Sequence, residues 1–536
     1  MKSANLCWGQ RYIWLRHHHM PAHARHEAHI VLRFDMPAGV TLAMVRATLN
    51  YLVRRHEALR TTYHFDADRD PEQRVHPPAA IPVVQVTVER DGTATPAEVV
   101  EELSSAEFDL AVQWPIRACA ITAGGAPKQL VLVLNHMAFD AWTVDRFERE
   151  FEALGAGLAT RKPAVLEPIR HQPTDLARWE SSAEAQAVKE KALAYWRGEI
   201  TDLSTDMFAA RRGPGDEPAA RSASLTSPAM LAAGRRIADR HTVWPSLVHV
   251  AVYSMVMAAY TGSAEVAHLS FSGNREATPY ADVMTCMFSP LLLRVDCGDN
   301  PPFSEVLRGA TTRFRSAQDN AGVPYDELVE LLSRESSRRG EAVRTGSELN
   351  FLNHGAHVSK ARRTKFTWSP TPAAWAEYGA DTFFRIYELQ DAVVIALNAM
   401  STVMDAQAFE MFLRGYESVL LALDEPANDL RLDEVAGMIG FEPPAPTRAL
   451  GVETATTAAD AALALAAAVS QANGLDEVRL SDSYMVAGGR VLRVPRVLAL
   501  LADQGWTGIT VHQLAGGSPL SALAARLTTA VMTTTV

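Results

Sequence analysis

The chain predicts an α/β protein built from two large units and a small helical tail, and three observations carry that expectation. Its 536 residues exceed what one ordinary core accommodates, since single hydrophobic cores stop growing near about 250 to 300 residues. Residues 129–134 read Gln-Leu-Val-Leu-Val-Leu, a short apolar run with β-branched members that suits a strand buried on both faces. After a turn, Val144, Phe147, Phe151 and Leu154 recur at three- and four-residue steps among charged neighbours, so the local order is strand, loop, amphipathic helix.

The remaining elements follow along the chain. Leu42, Val45, Leu49 and Leu52 fall at helical spacing, and the pattern ends at Arg54-Arg55-His56-Glu57. Thr95-Pro96-Ala97-Glu98 supplies a capping residue, a proline for the first helical position and a glutamate to close the box. From about residue 168 to 434 the pattern mixes a helix near 246–260 with strands near 383–387 and 392–397. Phe441-Glu442-Pro443-Pro444-Ala445-Pro446 reads as a linker. Beyond it an alanine-rich helix near 458–471 stops at Asn473-Gly474, and another helix runs up to Gly505. The expected division is 1–167, 168–437, a linker over 438–455, and a helical unit over 456–530.

Composition narrows the function classes. Hydrophobic residues make up 48% and charged ones 21%, which suits globular units with packed cores. The net charge of −11 gives a surface that repels nucleic acid and acidic membranes. No apolar run approaches the ~18 residues of a membrane span, so neither nucleic acid nor membrane is an expected partner and the cytoplasm is the expected location. Cys7, Cys119, Cys286 and Cys297 lie far apart without a CxxC pair and read as buried apolar residues. His17, His18, His19, His23, His26 and His29 are dense, but their spacing matches no zinc motif, and a solvated loop without metal is expected. No GxSxG elbow, Walker loop or GxGxxG fingerprint supports hydrolase, nucleotide or hydride chemistry.

The chemistry gathers at Asn135-His136-Met137-Ala138-Phe139-Asp140-Ala141, directly after the buried strand. There a histidine can be fixed by the backbone while its imidazole faces a cleft, which makes His136 the candidate base. Asp140 either contacts that imidazole or anchors the loop through a distant arginine, and spacing alone leaves both open. A core histidine in a polar turn is the plainer reading of an HxxxD spacing.

That segment, however, resembles the HHxxxDG motif of nonribosomal peptide synthetase condensation domains, relatives of the chloramphenicol acetyltransferase fold. Trp8-Gly9-Gln10-Arg11-Tyr12-Ile13-Trp14 is similar to the family's opening motif, Arg55-His56-Glu57-Ala58-Leu59-Arg60-Thr61 to its RHExLRT signature, and Asp175-Leu176-Ala177-Arg178-Trp179 to its DYAxW element. Ser272-Gly273-Asn274-Arg275, residues 291–295, Pro302-Phe303 and Val323-Pro324-Tyr325-Asp326 follow in the family's order, so the resemblance spans roughly residues 5 to 435.

The resemblance implies two acetyltransferase-like lobes in a V-shaped pseudo-dimer, with His136 at their junction. It implies a free-standing enzyme that joins an acyl- or peptidyl-carrier-bound thioester to an amine, free or carrier-bound, to form an amide. The phosphopantetheine arm comes from the partner carrier, and no cofactor is bound directly. His136 acts as base or positions the amine, while Asp140 pairs with Arg275 as a structural anchor. Two alternatives stay open: a non-catalytic recruitment module for carriers or tailoring enzymes, and an ester-forming acyltransferase.

The sequence departs from the family at several positions. Asn135 replaces the first motif histidine and does not titrate near neutral pH. Ala141 replaces the motif glycine and would be strained if the backbone there needed positive φ. Ser289 stands where an asparagine is usual and is expected to alter the substrate channel. The tail resembles a peptidyl carrier protein from Asp482-Ser483-Tyr484 to residues 520–524, but Val491 occupies the place of the phosphopantetheine serine. Pro495 is expected to delay the start of the following helix.

Overall fold

The structure is a computed structural model, and it describes residues 2–65, 69–87, 95–204, 206–276, 278–354, 357–371, 375–442, 444 and 459–529. Within 1–167 lies a four-stranded sheet ordered His29–Asp35, Ala126–Asn135, Ile116–Ala123, Val83–Thr87, antiparallel except for the last, parallel pair. Leu130 to Leu134 are fully buried, as expected of a two-sided strand. On one face they meet the helices Leu42–Arg55 and Ala141–Thr160 through Leu49, Leu52, Phe147 and Phe151. On the other, Val131 packs beside Cys119 and Val100 of the helix Pro96–Ser105. The expected box closes between Thr95 and Glu98, and Thr41 caps its own helix, its Oγ1 accepting from Met44 N at 3.2 Å.

Within 168–437 lies a seven-stranded sheet ordered Ser289–Asp296, Glu265–Ser272, Ser347–His354, Thr382–Leu389, Val393–Met400, Ala220–Ser227, Lys365–Ser369. Its strand Ser347–His354 runs parallel to both neighbours, and the remaining pairings are antiparallel. The helix Pro245–Thr261 is apolar all round because it is enclosed by that sheet and by the helices Pro228–His241, Phe303–Asp319 and Ala406–Asp424.

The two units are stitched together. After Asn274, which adopts a left-handed φ of 49°, residues 280–288 cross to the first unit, where Met284 enters the core beside Leu134 and Phe139. The opening helix Trp8–His19 presses onto the same crossing. A Cβ on Gly9 would stand 2.5 Å from the Cys286 carbonyl oxygen, so only glycine admits that approach.

The tail packs as the helices Ala459–Asn473, Val494–Asp503, Val511–Leu514 and Leu520–Ala524. The α-helix starts only at Val494, after the 3₁₀ turn Val491–Arg493, so its start is delayed as expected and Pro495 falls in the first turn, where the missing N–H costs nothing. Tail residues Leu465, Val469, Val491 and Val497 share one apolar cluster with Tyr12, Ile13 and Trp14. Arg490 reaches Asp70 at 2.8 Å, and Ser333 Oγ donates to the Gly516 carbonyl at 2.9 Å. The helix Leu432–Ile439 runs into the expected linker, of which residues 443 and 445–455 fall outside the described part.

The histidine-rich stretch is not the solvated loop its polarity suggested. His17, His18 and His19 end the opening helix half-buried, and a 3₁₀ helix, Ala22–Ala28, follows. Among the described residues no group of three or more His, Cys, Asp or Glu side chains is arranged to hold a metal ion. No helix among them is long and apolar enough to cross a membrane by itself.

Burial also makes stability depend on pH. His249 and His268 are enclosed in the second unit, and burial holds them down to about 4 and about 3. In the unfolded chain they titrate near 6.5. Between those values only the unfolded state takes up the protons, so this contribution is complete above pH 6.5 and is lost as pH falls. Two such histidines should lower unfolding free energy by on the order of 3 kcal/mol between pH 7.5 and 5.5. Urea titrations at the two pH values measure this, and His268→Gln should flatten the difference; equal midpoints for the native chain would contradict it.

Candidate active site

The strand Ala126–Asn135 delivers the site. Asn135 is the last paired residue, opposite His29, and its Oδ1 accepts from Met137 N at 3.0 Å. This Asx turn, with Ala138 N donating to the Asn135 carbonyl at 3.1 Å, reverses the chain. Met137, Ala138 and Phe139 are each fully buried, Met137 on one side of the sheet and the other two on the opposite side. Those three residues lock the loop and leave His136 half-buried, facing a cavity.

The cavity holds about 500 Å³ and lies between the two sheets. Tyr12 and Arg16 of the opening helix line it, with His136 from the first unit and Phe271, Phe288 and Arg385 from the second. Phe288 meets the His136 ring edge-on with centroids 5.5 Å apart. His136 Nδ1 is buried and makes no hydrogen bond of good geometry, which leaves Nε2 as the nitrogen toward the open space. Burial lowers the His136 pKa from its ordinary value, and Asp140 and the loop backbone act in the opposite direction. The imidazole is therefore neutral at pH 7, able to accept a proton.

Asp140 makes no hydrogen bond to that imidazole. It caps the helix Ala141–Thr160, its Oδ1 accepting from Thr143 N at 2.8 Å and from Thr143 Oγ1 at 2.6 Å. Its Oδ2 accepts from Arg275 Nη2 at 2.7 Å and from Met287 N at 3.2 Å. Arg275 also donates to the carbonyls of Ala281, Val283 and Thr285 and lies over Trp142 at 4.2 Å. Between the two readings of Asp140 that spacing left open, the geometry is that of the anchor. It ties the crossing segment of the second unit to the His136 loop of the first.

Three departures from the family take their place in this frame. Ala141 is the first helical residue and is not among the residues with positive φ, so the strain considered for it does not arise. Ser289 does not line the cavity. It is 1% exposed, and its Oγ accepts from Gly322 N at 2.9 Å, so the substrate-channel expectation is corrected in favour of its neighbour Phe288. Val491 is buried in the 3₁₀ turn Val491–Arg493, and its N–H donates to Glu330 Oε1 at 3.2 Å. The family motifs do not reach Phe271, Asn350, Arg385 and Asn398, which complete the cavity wall. A charged residue within Phe383-Phe384-Arg385-Ile386-Tyr387 was the available signal.

The comparisons with known proteins fit this geometry. The Condensation domain family matches residues 4–427. Chondramide synthase of Chondromyces crocatus is 25% identical over 305 residues, which is 55% of this chain but 8% of that protein, so the chain corresponds to a small part of a much longer one. The X-domain from teicoplanin biosynthesis superposes with a TM-score of 0.63 at 18% identity, covering 81% of this chain and 97% of that one. A structure concerned with condensation domain-mediated chain release from the enacyloxin polyketide synthase gives 0.60 at 18% identity, covering 85% of each chain. The structures establish a shared fold, the family match covers most of the sequence, and the chain accordingly belongs to the condensation-domain family.

Proposed function

We propose that the chain is an acyltransferase that joins a carrier-bound acyl or aminoacyl thioester to an amine, forming an amide in nonribosomal peptide or related natural-product assembly. The observation that carries this reading is a neutral His136 imidazole facing a cavity shared by both units. The acceptor nitrogen attacks the thioester carbonyl carbon, and His136 takes the proton the nitrogen loses. The tetrahedral intermediate then expels the pantetheine thiolate, which recovers that proton, so amide and free thiol are the products. The phosphopantetheine arm belongs to the partner carrier. The test offers donor acyl-carrier thioesters with amines and with alcohols and compares the wild type with His136→Ala by mass spectrometry. Ester products would move the acceptor class without moving the base.

A recruitment role is favoured by one observation. Asn135, in place of the first motif histidine, serves a turn rather than chemistry, and a similar fold occurs in an X-domain. Absence of turnover with every donor, together with binding to an oxidase or carrier, would establish that role instead.

Residues 456–530 are read as a carrier-like domain that no longer carries an arm, following the lobes at 1–167 and 168–437. The buried Val491 side chain has no hydroxyl to form the phosphodiester. Incubation with a phosphopantetheinyl transferase and coenzyme A should leave the mass unchanged. A gain of one arm would overturn this reading.

A further inference from the structure

The cavity contains a cation that the transfer of an acyl group to an amine does not require. Along the strand Thr382–Leu389, Phe384 and Ile386 are fully buried in the second unit's core, while Phe383 and Arg385 face the cavity. Arg385 stands in register with Asn350 on one neighbouring strand and Ala396 on the other. Its Nη2 donates to Asn398 Oδ1 at 2.8 Å, and that oxygen also accepts from Ser222 Oγ at 2.9 Å, which fixes the amide. Arg385 Nε is buried with no hydrogen-bond partner. The Phe383 ring supports the guanidinium at 5.0 Å.

No carboxylate stands within ion-pairing distance of Arg385 among the described residues. The neighbouring cation differs: Arg16 has Glu348 at 3.6 Å. The Glu148 carboxyl, on the cavity wall, is raised by burial, with His357 acting in the opposite direction, and it makes no ion pair with Arg385. Drawing a guanidinium out of bulk water is costly, and proteins ordinarily offset that cost with a carboxylate. Here the neutral Asn398 amide holds the group in place without discharging it. The charge and several N–H donors therefore stay available to an anion entering the cavity. A planar fork held this way matches a carboxylate.

We propose that Arg385, held by Asn398 and flanked by Asn350, forms a subsite for a carboxylate carried by the substrate. The proposal rests on the reading of this cavity as the acyl-transfer chamber. The carboxylate belongs either to the acceptor, as in a free amino acid, or to the far end of the donor acyl chain.

Calorimetric titration of the full chain separates these sources without requiring turnover. The acceptor arm compares glycine with methylamine, leucine with isoamylamine, and phenylalanine with phenethylamine. The donor arm compares glutaryl with butyryl N-acetylcysteamine thioesters. In at least one arm the carboxylate-bearing member should bind about tenfold tighter or more. Arg385→Gln should remove that preference, and Arg385→Lys should restore part of it. Asn398→Asp, which leaves the guanidinium but neutralises it, should remove the preference too, so the test survives a folding defect in either position. Equal binding within every pair, or a preference that persists in folded Arg385→Gln, would overturn the subsite. Carboxylate binding without acyl transfer would leave the subsite standing and refute the reaction. Acyl transfer indifferent to the carboxylate would do the reverse.

Discussion

Replacing His136 with alanine is expected to lower the rate of acyl transfer by about 100- to 10,000-fold while leaving the fold and donor binding almost unchanged. The size follows from what a positioned general base contributes. The separation from folding follows from the loop: Met137, Ala138 and Phe139 provide its buried contacts, whereas His136 is half-buried with Nδ1 outside any well-formed hydrogen bond. Single-turnover mass spectrometry gives the rate, and a thermal melt with donor titration gives the rest. Because burial places the imidazole below its ordinary pKa, the wild-type rate should be level above pH 6.5 and fall at lower pH as the base takes up a proton. The residual rate of His136→Ala should lack that acid limb. A variant that keeps the limb, or one that loses stability and rate together, would show that the histidine packs rather than reacts.

Much of this site could be read in the sequence because its parts are local. A two-sided strand, a histidine after it and an amphipathic helix all follow from spacing within a few residues, and the strand Ala126–Asn135 and helix Ala141–Thr160 stand where the apolar pattern put them. The capping box of Thr95 and Glu98 was legible for the same reason. What failed was long-range. Ser289 is expected at the channel from its place in the family resemblance, but Phe288, just ahead of the strand Ser289–Asp296, takes the cavity and Ser289 the interior. The histidine-rich stretch looked solvated, yet the tail covers the end of the opening helix, where His19 lies 5.6 Å from the His512 ring. Arg385 could be seen as an oddity in an apolar strand, but its missing counter-ion is a property of neighbouring strands that meet only in the fold.

Asp140→Ala is expected to destabilise the protein by about 3–5 kcal/mol without removing the chemistry from the molecules that stay folded. The Asp140 carboxylate is 1% exposed and accepts four hydrogen bonds, and its loss would leave the Arg275 guanidinium buried without a counter-charge. It would also uncap the helix that begins at Ala141, a further ~1 kcal/mol. The arrangement makes a sharper forecast than a single variant does. Arg275→Met removes the cation together with its carbonyl contacts, so the double variant should fall short of the sum of the two single losses by roughly 1–3 kcal/mol. Denaturant titrations of the four proteins yield that coupling. Strict additivity would mean that the two residues stabilise independently, and the crossing segment would then owe its place to Met284 and its apolar neighbours. Below the melting temperature, folded Asp140→Ala should retain an acid limb in its rate profile, since the imidazole that reacts is not the group Asp140 holds. Loss of that limb in a folded protein would assign Asp140 to the reaction after all.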